Sequence, residues 1–132
     1  MSAASDYLEN KVLDHVLTAT AYTQPGTRYL ALFTANTGLE SNSPSAEVST
    51  SGTAYARQAV TFASASSGQS ATNATVTFPT ATANFGTITH VAVMDASTSG
   101  NVLFHGAVTT SKVIETGDTF QVTSGNLTVS LA

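Results

Sequence analysis

Among the reactive residues of this chain, two histidines have the spacing that comes closest to that of a metal-binding or pH-sensing site. His90 and His105 fall in neighbouring predicted strands that a turn-forming stretch connects. If these strands pair as a hairpin with Met94 opposite Asn101, His90 lies directly opposite His105 on one face of the sheet. Two imidazoles in that position could bind a metal ion or change their charge with pH. Because no third ligand is in view, we expect two ordinary hydrogen-bonded strand residues.

The other reactive residue types do not form a recognisable site. The eight acidic residues are scattered over the predicted helix, loops and strand ends, and neither Asp95 nor Asp118 has an evident carboxylate partner for acid–base chemistry. The chain has no cysteine, which excludes disulfides, thiolate nucleophiles and the usual structural zinc sites. Its glycines do not assemble into a phosphate-binding loop. We therefore expect no enzymatic activity, no bound metal and no cofactor.

Charge and hydropathy argue against two classes of partner. Eight acidic residues against four basic ones give a net charge of −4, which leaves no cationic surface for a nucleic-acid backbone. No stretch approaches the roughly 18 apolar residues that span a bilayer, and the first residues do not read as an export signal. We expect neither nucleic acid nor membrane as a partner.

The surface of the folded chain must be rich in neutral hydroxyl groups. Serine and threonine make up roughly three residues in ten, and lysine is scarce. Covering a surface that has few ions with another subunit costs little free energy, because the desolvation of ions is the main cost of burying a polar surface. The same composition is also typical of an ordinary threonine-rich β protein. Assembly and plain strand propensity both account for it.

The clearest helical pattern is "SDYLENKVLDHVL" (5–17), whose apolar residues fall on one face and whose charged residues fall on the other. Ser5 or Asp6 can cap its N-terminus, and Asp6 with Glu9 has the spacing of a capping box. The apolar face either docks on a neighbouring subunit or covers a sheet face of its own domain, and both remain open. The candidate interface residues are Tyr7, Leu8, Val12, Leu13, Val16 and Leu17.

After Pro25–Gly26 the pattern changes to a period of two, which indicates short strands bounded by Gly, Pro, Asn or Ser. We predict a mainly β fold, an antiparallel β-sandwich (jelly-roll-like) with one N-terminal amphipathic α-helix. Residues 1–24 would form the helix and an arm, and residues 25–132 a single β-sandwich domain. The seven predicted strands are 28–34, 55–63, 74–79, 87–95, 101–108, 119–123 and 126–132.

Three finer predictions concern the connections and pairing of these strands. The segments 36–52 and 64–73 are polar and are predicted to be surface loops. The stretch 89–95 is apolar on both faces, which predicts an inner strand whose outer face meets the helix or a second subunit. The alternation in 119–132 around Ser124–Gly125–Asn126 predicts a hairpin with one buried face.

Several stretches in this order resemble a family of small tailed-bacteriophage virion proteins, many of which carry the label tail fibre protein. The resemblance covers nearly the whole chain and departs at Phe85, where many relatives are expected to have tryptophan. The stretches are "SDYLENKVLDHVL", "AYTQPGTRYLALFTA", "YARQAVTF", "VTFPTATANFGTITHVAVMDASTSGNVLFHGAV" and "GDTFQVTSGNLTVSLA".

The resemblance implies a virion structural protein with no catalytic residues. Because the chain has neither a repetitive shaft nor spare length, it resembles a capsid decoration (cement) protein more closely than a fibre. On this hypothesis it forms a homotrimer, contacts the major capsid protein and lies on the capsid surface after synthesis in the host cytoplasm. The alternative is a tail fibre or tail-associated receptor-binding module, with other tail proteins or a host-surface glycan as partner.

Overall fold

The computed structural model describes residues 3–131, and its largest element is one five-stranded antiparallel sheet. One helix, α1, precedes most of the strands, and it is not long enough to span a membrane. The elements in chain order are β1 (Ala3–Ala4), α1 (Asp6–Leu17), β2 (Arg28–Phe33), β3 (Gln58–Val60), β4 (Gln69–Ala71), β5 (Val76–Thr77), β6 (Gly86–Met94), β7 (Val102–Ile114), β8 (Gln121–Val122) and β9 (Thr128–Ser130).

The main sheet has the strand order β1-β7-β6-β2-β3, and two short ladders, β4 with β9 and β5 with β8, complete the pairing. All of these pairs are antiparallel. The mainly β class, the antiparallel pairing and the single N-terminal helix are therefore confirmed. Strand β6 lies in the centre of the main sheet, as its apolar faces predicted.

One face of the main sheet packs on an aromatic core that also includes residues of the short β5–β8 ladder. Tyr55 and Phe78 stack with their ring centroids 6.1 Å apart, and Phe85 meets Tyr55 edge-on at 5.7 Å. Phe120 meets Phe78 in the same edge-on manner at 5.8 Å. Such contacts add to the stabilisation from burial alone. Phe85 is thus a core residue.

The opposite face of the main sheet is covered by the loop 36–47 rather than by α1. This segment is a surface loop as predicted, but it contributes one buried side chain to that face. Leu39 is fully buried there against Phe33 and Met94. The loop closes on itself because Ser43 N donates to the carbonyl of Gly38 at 2.8 Å. One buried leucine is enough for a polar loop to cover the sheet face, because the backbone groups of the loop form hydrogen bonds with each other.

The predicted C-terminal hairpin is also wrong. The turn forms, since Asn126 N donates to Thr123 O at 3.0 Å, but the strands on its two sides part from each other. Strand β8 pairs with β5, and β9 pairs with β4, which lies in the segment 64–73 predicted to be a loop. Alternation shows which side chains share a face, yet it does not identify the partner strand.

Candidate functional site

Helix α1 is fixed to the main sheet at its first turn. The fully buried Ser5 is its N-cap, and its hydroxyl accepts a hydrogen bond from Leu8 N at 3.3 Å. The same hydroxyl donates to the carbonyl of Val102 in β7, and Ser5 N donates to Leu103 O at 3.0 Å. One serine therefore caps the helix and sets its attachment to the sheet edge.

The six apolar residues proposed on α1 divide into two groups. Leu8 is buried in the core, and Tyr7 and Val12 are half-buried against it, so the first half of the helix packs on its own chain. The second half leaves its apolar side chains exposed, at spacings of three and four residues that put them on one face. This helix patch consists of Leu13, Val16 and Leu17, which are 54%, 68% and 73% exposed.

An open apolar groove lies beside β7. It consists of two neighbouring cavities of about 620 and 380 Å³, whose walls share Val93, Phe104 and Val129. Strand β7, the segment around β8 and β9 and part of the β4 segment form its sides. We call this feature the sheet groove. The smaller cavity is lined mainly by aliphatic and aromatic side chains, whereas the larger one mixes such side chains with threonines, Gln121 and Asn126. Binding pockets commonly combine apolar walls with a few polar groups of this kind.

The charges of the helix and of the sheet groove are opposite in sign. Arg28 and Lys112 line the groove, and no carboxylate lines it within residues 3–131. The contact that the structure gives the Arg28 guanidinium is with Gln24 Oε1 at 3.0 Å. Helix α1 instead carries three carboxylates and one ammonium group. These are Asp6, Glu9, Asp14 and Lys11.

The two histidines share a sheet face but are not directly opposite each other. His90 pairs with Ala107, and His105 pairs with Ala92, so the two imidazoles are diagonal neighbours. The predicted partner of His90 was two positions off, because Met94 lies opposite Val102 rather than Asn101, and an irregularity between Val93 and Met94 shifts the ladder by one more residue.

Each imidazole has a different partner. His105 Nε2 lies 3.0 Å from Glu40 Oε2, and His90 Nδ1 lies 2.9 Å from Thr89 Oγ1. Burial, and secondarily His105, lowers the pKa of His90. These contacts account for both rings without a bridging metal.

Three carboxylates that are distant in sequence converge at the start of α1. The carboxylate oxygens of Asp6, Glu9 and Glu40 lie within 4.8 Å of one another, and all three side chains are exposed. Asp6 N donates to the backbone carbonyl of Glu40 at 2.9 Å, which brings the loop to the helix. Acidic residues at this end also suit the helix dipole. The cluster therefore has a structural explanation.

The two isolated aspartates support turns. Asp95 accepts hydrogen bonds from Asn101 N at 2.6 Å and from Asn101 Nδ2 at 2.8 Å, which closes the connection between β6 and β7. Asp118 Oδ2 accepts from Glu115 N at 2.9 Å. Both carboxylates are thus engaged with nearby groups of the chain rather than directed at the sheet groove.

Sequence reasoning missed a polar network around Arg57. Its guanidinium forms two hydrogen bonds of 2.8 Å to the carboxylate of Glu47 and also donates to the carbonyls of Ala96 and Ser99. Tyr55 OH donates to Glu47 Oε2 at 2.7 Å, and burial raises the pKa of this phenol. The signal in the sequence was Arg57 itself, one of only four basic residues, two positions after the aromatic residue Tyr55.

Comparison with known proteins gives one family. A family model described as Podophage GP4 fiber I protein gp80 matches residues 3–130. No curated protein matches the chain. The match covers almost the same residues as the structure.

Proposed function

Because the chain belongs to the family described as Podophage GP4 fiber I protein gp80, we propose that it is a non-catalytic subunit of a phage fibre. Membership makes it a phage virion structural protein. The finer assignment to a fibre is supported by the family description, and that description is the observation that carries the proposal. Its mode of action is packing against other virion proteins.

The surfaces support a role in assembly. The helix patch and the sheet groove are both apolar and exposed, and such surfaces usually mark contact sites on soluble proteins. A sugar would need polar partners for its hydroxyl groups, which the larger cavity of the groove offers but the helix patch does not. The exposed apolar helix patch therefore favours a protein partner over a host-surface glycan.

A capsid decoration protein is the second candidate. It is favoured by the architecture, because the strands of residues 3–131 form one sheet with two short ladders and contain no repeated shaft unit. In that case the partner would be the major capsid protein, and the copies would stabilise contacts between capsid subunits.

Quantitative mass spectrometry of purified virions separates the two candidates. After the virions are dissociated into head and tail fractions, the amount of this chain is compared with that of the major capsid protein in each fraction. A few copies that follow the tail fraction support the fibre proposal. A ratio near one per capsid subunit in the head fraction contradicts it and supports decoration. A known tail protein measured in the same digest is the control for losses.

A further inference from the structure

We propose that the helix patch of one copy docks into the sheet groove of a second copy of this chain, in a head-to-tail contact. The inference rests on the proposed function as an assembling subunit and names the partner. Three apolar side chains at positions i, i+3 and i+4 are the usual anchors of a helix that binds in a groove. Those anchors are Leu13, Val16 and Leu17, all more than half exposed.

Charge complementarity identifies the second copy as the occupant. Of the four basic residues of the chain, Lys11 lies on the helix and Arg57 is paired with Glu47, whereas Arg28 and Lys112 line the groove. The helix that would enter has three carboxylates against one ammonium group. Opposite charges around an apolar contact favour this orientation and disfavour both helix-to-helix and groove-to-groove contacts.

The attachment of α1 prevents the same helix from filling its own groove. Ser5 is hydrogen-bonded to β7, and Leu8 is buried in the core, so the first turn cannot rotate without losing both contacts. The helix patch therefore stays available to a neighbour. Since the helix and the groove are different surfaces, the contact is heterologous, and repetition yields a closed ring or an open filament. A homotrimer would be the three-membered ring.

The absence of cysteine allows a direct test by cross-linking. Val16→Cys and Val129→Cys are prepared as separate full-length variants, mixed, and treated with a short thiol-reactive bismaleimide. We expect a covalent dimer from the mixture and little dimer from either variant alone. The matched control replaces Val129→Cys by Ser51→Cys, an exposed position that does not line the groove, and should give no dimer with Val16→Cys.

Three outcomes overturn the inference. A dimer from Val16→Cys alone indicates contact between two helices. An intramolecular link in the Val16→Cys/Val129→Cys double variant at high dilution indicates that the helix folds back on its own groove. Failure of the mixture to cross-link, with the native chain monomeric in sedimentation equilibrium, excludes the contact.

A second measurement uses variants that keep the fold. We expect Val16→Asp and Lys112→Glu each to weaken self-association by at least about tenfold in Kd, with an unchanged circular dichroism spectrum, because both positions are exposed or at the groove wall. Unchanged association in both variants overturns the inference. If the chain is monomeric but present in the tail fraction, the inference fails and the proposed function stands. If the chain self-associates but is absent from virions, the proposed function alone fails.

Discussion

Arg57 connects three parts of the chain that are far apart in sequence. Its side chain is 6% exposed and that of Glu47 is 27% exposed, so the pair is largely removed from water. The bidentate geometry and the added bonds to Ala96 and Ser99 satisfy the guanidinium. The attraction within such a pair adds little to the free energy of unfolding. Removal of one partner nevertheless lowers that free energy strongly, because a buried charge is left unpaired. Its main effect is to hold the loop 36–47 and the turn after β6 together.

Replacement of Arg57 is expected to destabilise the fold. Arg57→Ala leaves the Glu47 carboxylate without its cation and should lower the free energy of unfolding by about 2–4 kcal/mol. Arg57→Lys retains the charge but loses the planar fork, so its loss should be smaller. Urea denaturation followed by tyrosine fluorescence measures both. An Arg57→Ala protein as stable as the native chain would contradict this account of the network.

His90 gives the fold a dependence on pH. Because burial and the neighbouring His105 lower the pKa of His90 in the folded state, the unfolded chain binds this proton more readily. The free energy of unfolding should therefore fall as the pH is lowered through the ordinary histidine pKa of about 6.5. The groups in contact with the two rings are Thr89 Oγ1 at His90 and the Glu40 carboxylate at His105.

The measurement is thermal unfolding between pH 5 and pH 8, recorded for the native chain and for His90→Gln. We expect His90→Gln to reduce the loss of Tm at acid pH, since it removes the group that must otherwise be kept neutral. An identical slope in native chain and His90→Gln would refute the assignment.

At the scale of elements, the loop 36–47 acts as the cover of the second sheet face. It has no helix and its only strand-like pairing is the bridge of Phe33 with Glu47, yet Leu39 is as buried as any strand residue. Its conformation depends on Gly38, which has a φ of +75° and approaches the Ser43 carbonyl closely. A Cβ at this glycine would lie 1.9 Å from Ser43 O.

Gly38→Ala should therefore destabilise the fold more than the same change at another left-handed glycine. Gly52 is the matched control, because it has a φ of +72° and a Cβ there would meet no atom within 4 Å. Gly52→Ala should cost about 1 kcal/mol from its backbone conformation, and Gly38→Ala more, because the backbone around Ser43 must move. Chemical denaturation of the two variants gives the comparison, and equal losses would contradict the close approach.

Sequence periodicity predicted the elements better than their pairing. The helix and the strands β2 and β6 were placed within a residue or two, because their apolar residues repeat at a clear period. Strand β7 continues six residues beyond the predicted end, to Ile114, since its later residues are largely exposed and polar and carry no hydrophobic signal. The partners of β8 and β9 could not be predicted, because contacts between distant segments leave no local pattern.

At the scale of the whole molecule, the helix patch was predictable and the sheet groove was not. All six apolar helix residues were identified from spacing, but only the fold shows that Leu8 is used within the chain while Val16 is left exposed. The groove has walls from β2, β4, β6, β7, β8 and β9, so it exists only once six strands have come together. The carboxylates of Glu9 and Glu40 likewise come together only in the folded chain, because Glu40 belongs to a loop that is distant from the helix in sequence.

The contacts of Ser5, Asp6 and Leu8 hold α1 at its first turn, so the exposed far end of the helix moves most when the helix tilts. A helix of 12 residues is about 18 Å long, so a tilt of about 10° at its first turn moves its far end by about 3 Å. A displacement of that size would put the exposed leucines and valine out of register with any partner. The contacts of the first turn thus set the position of exposed side chains that they never touch. The accuracy of a many-copy assembly would depend on how firmly this end of the helix is held in each subunit.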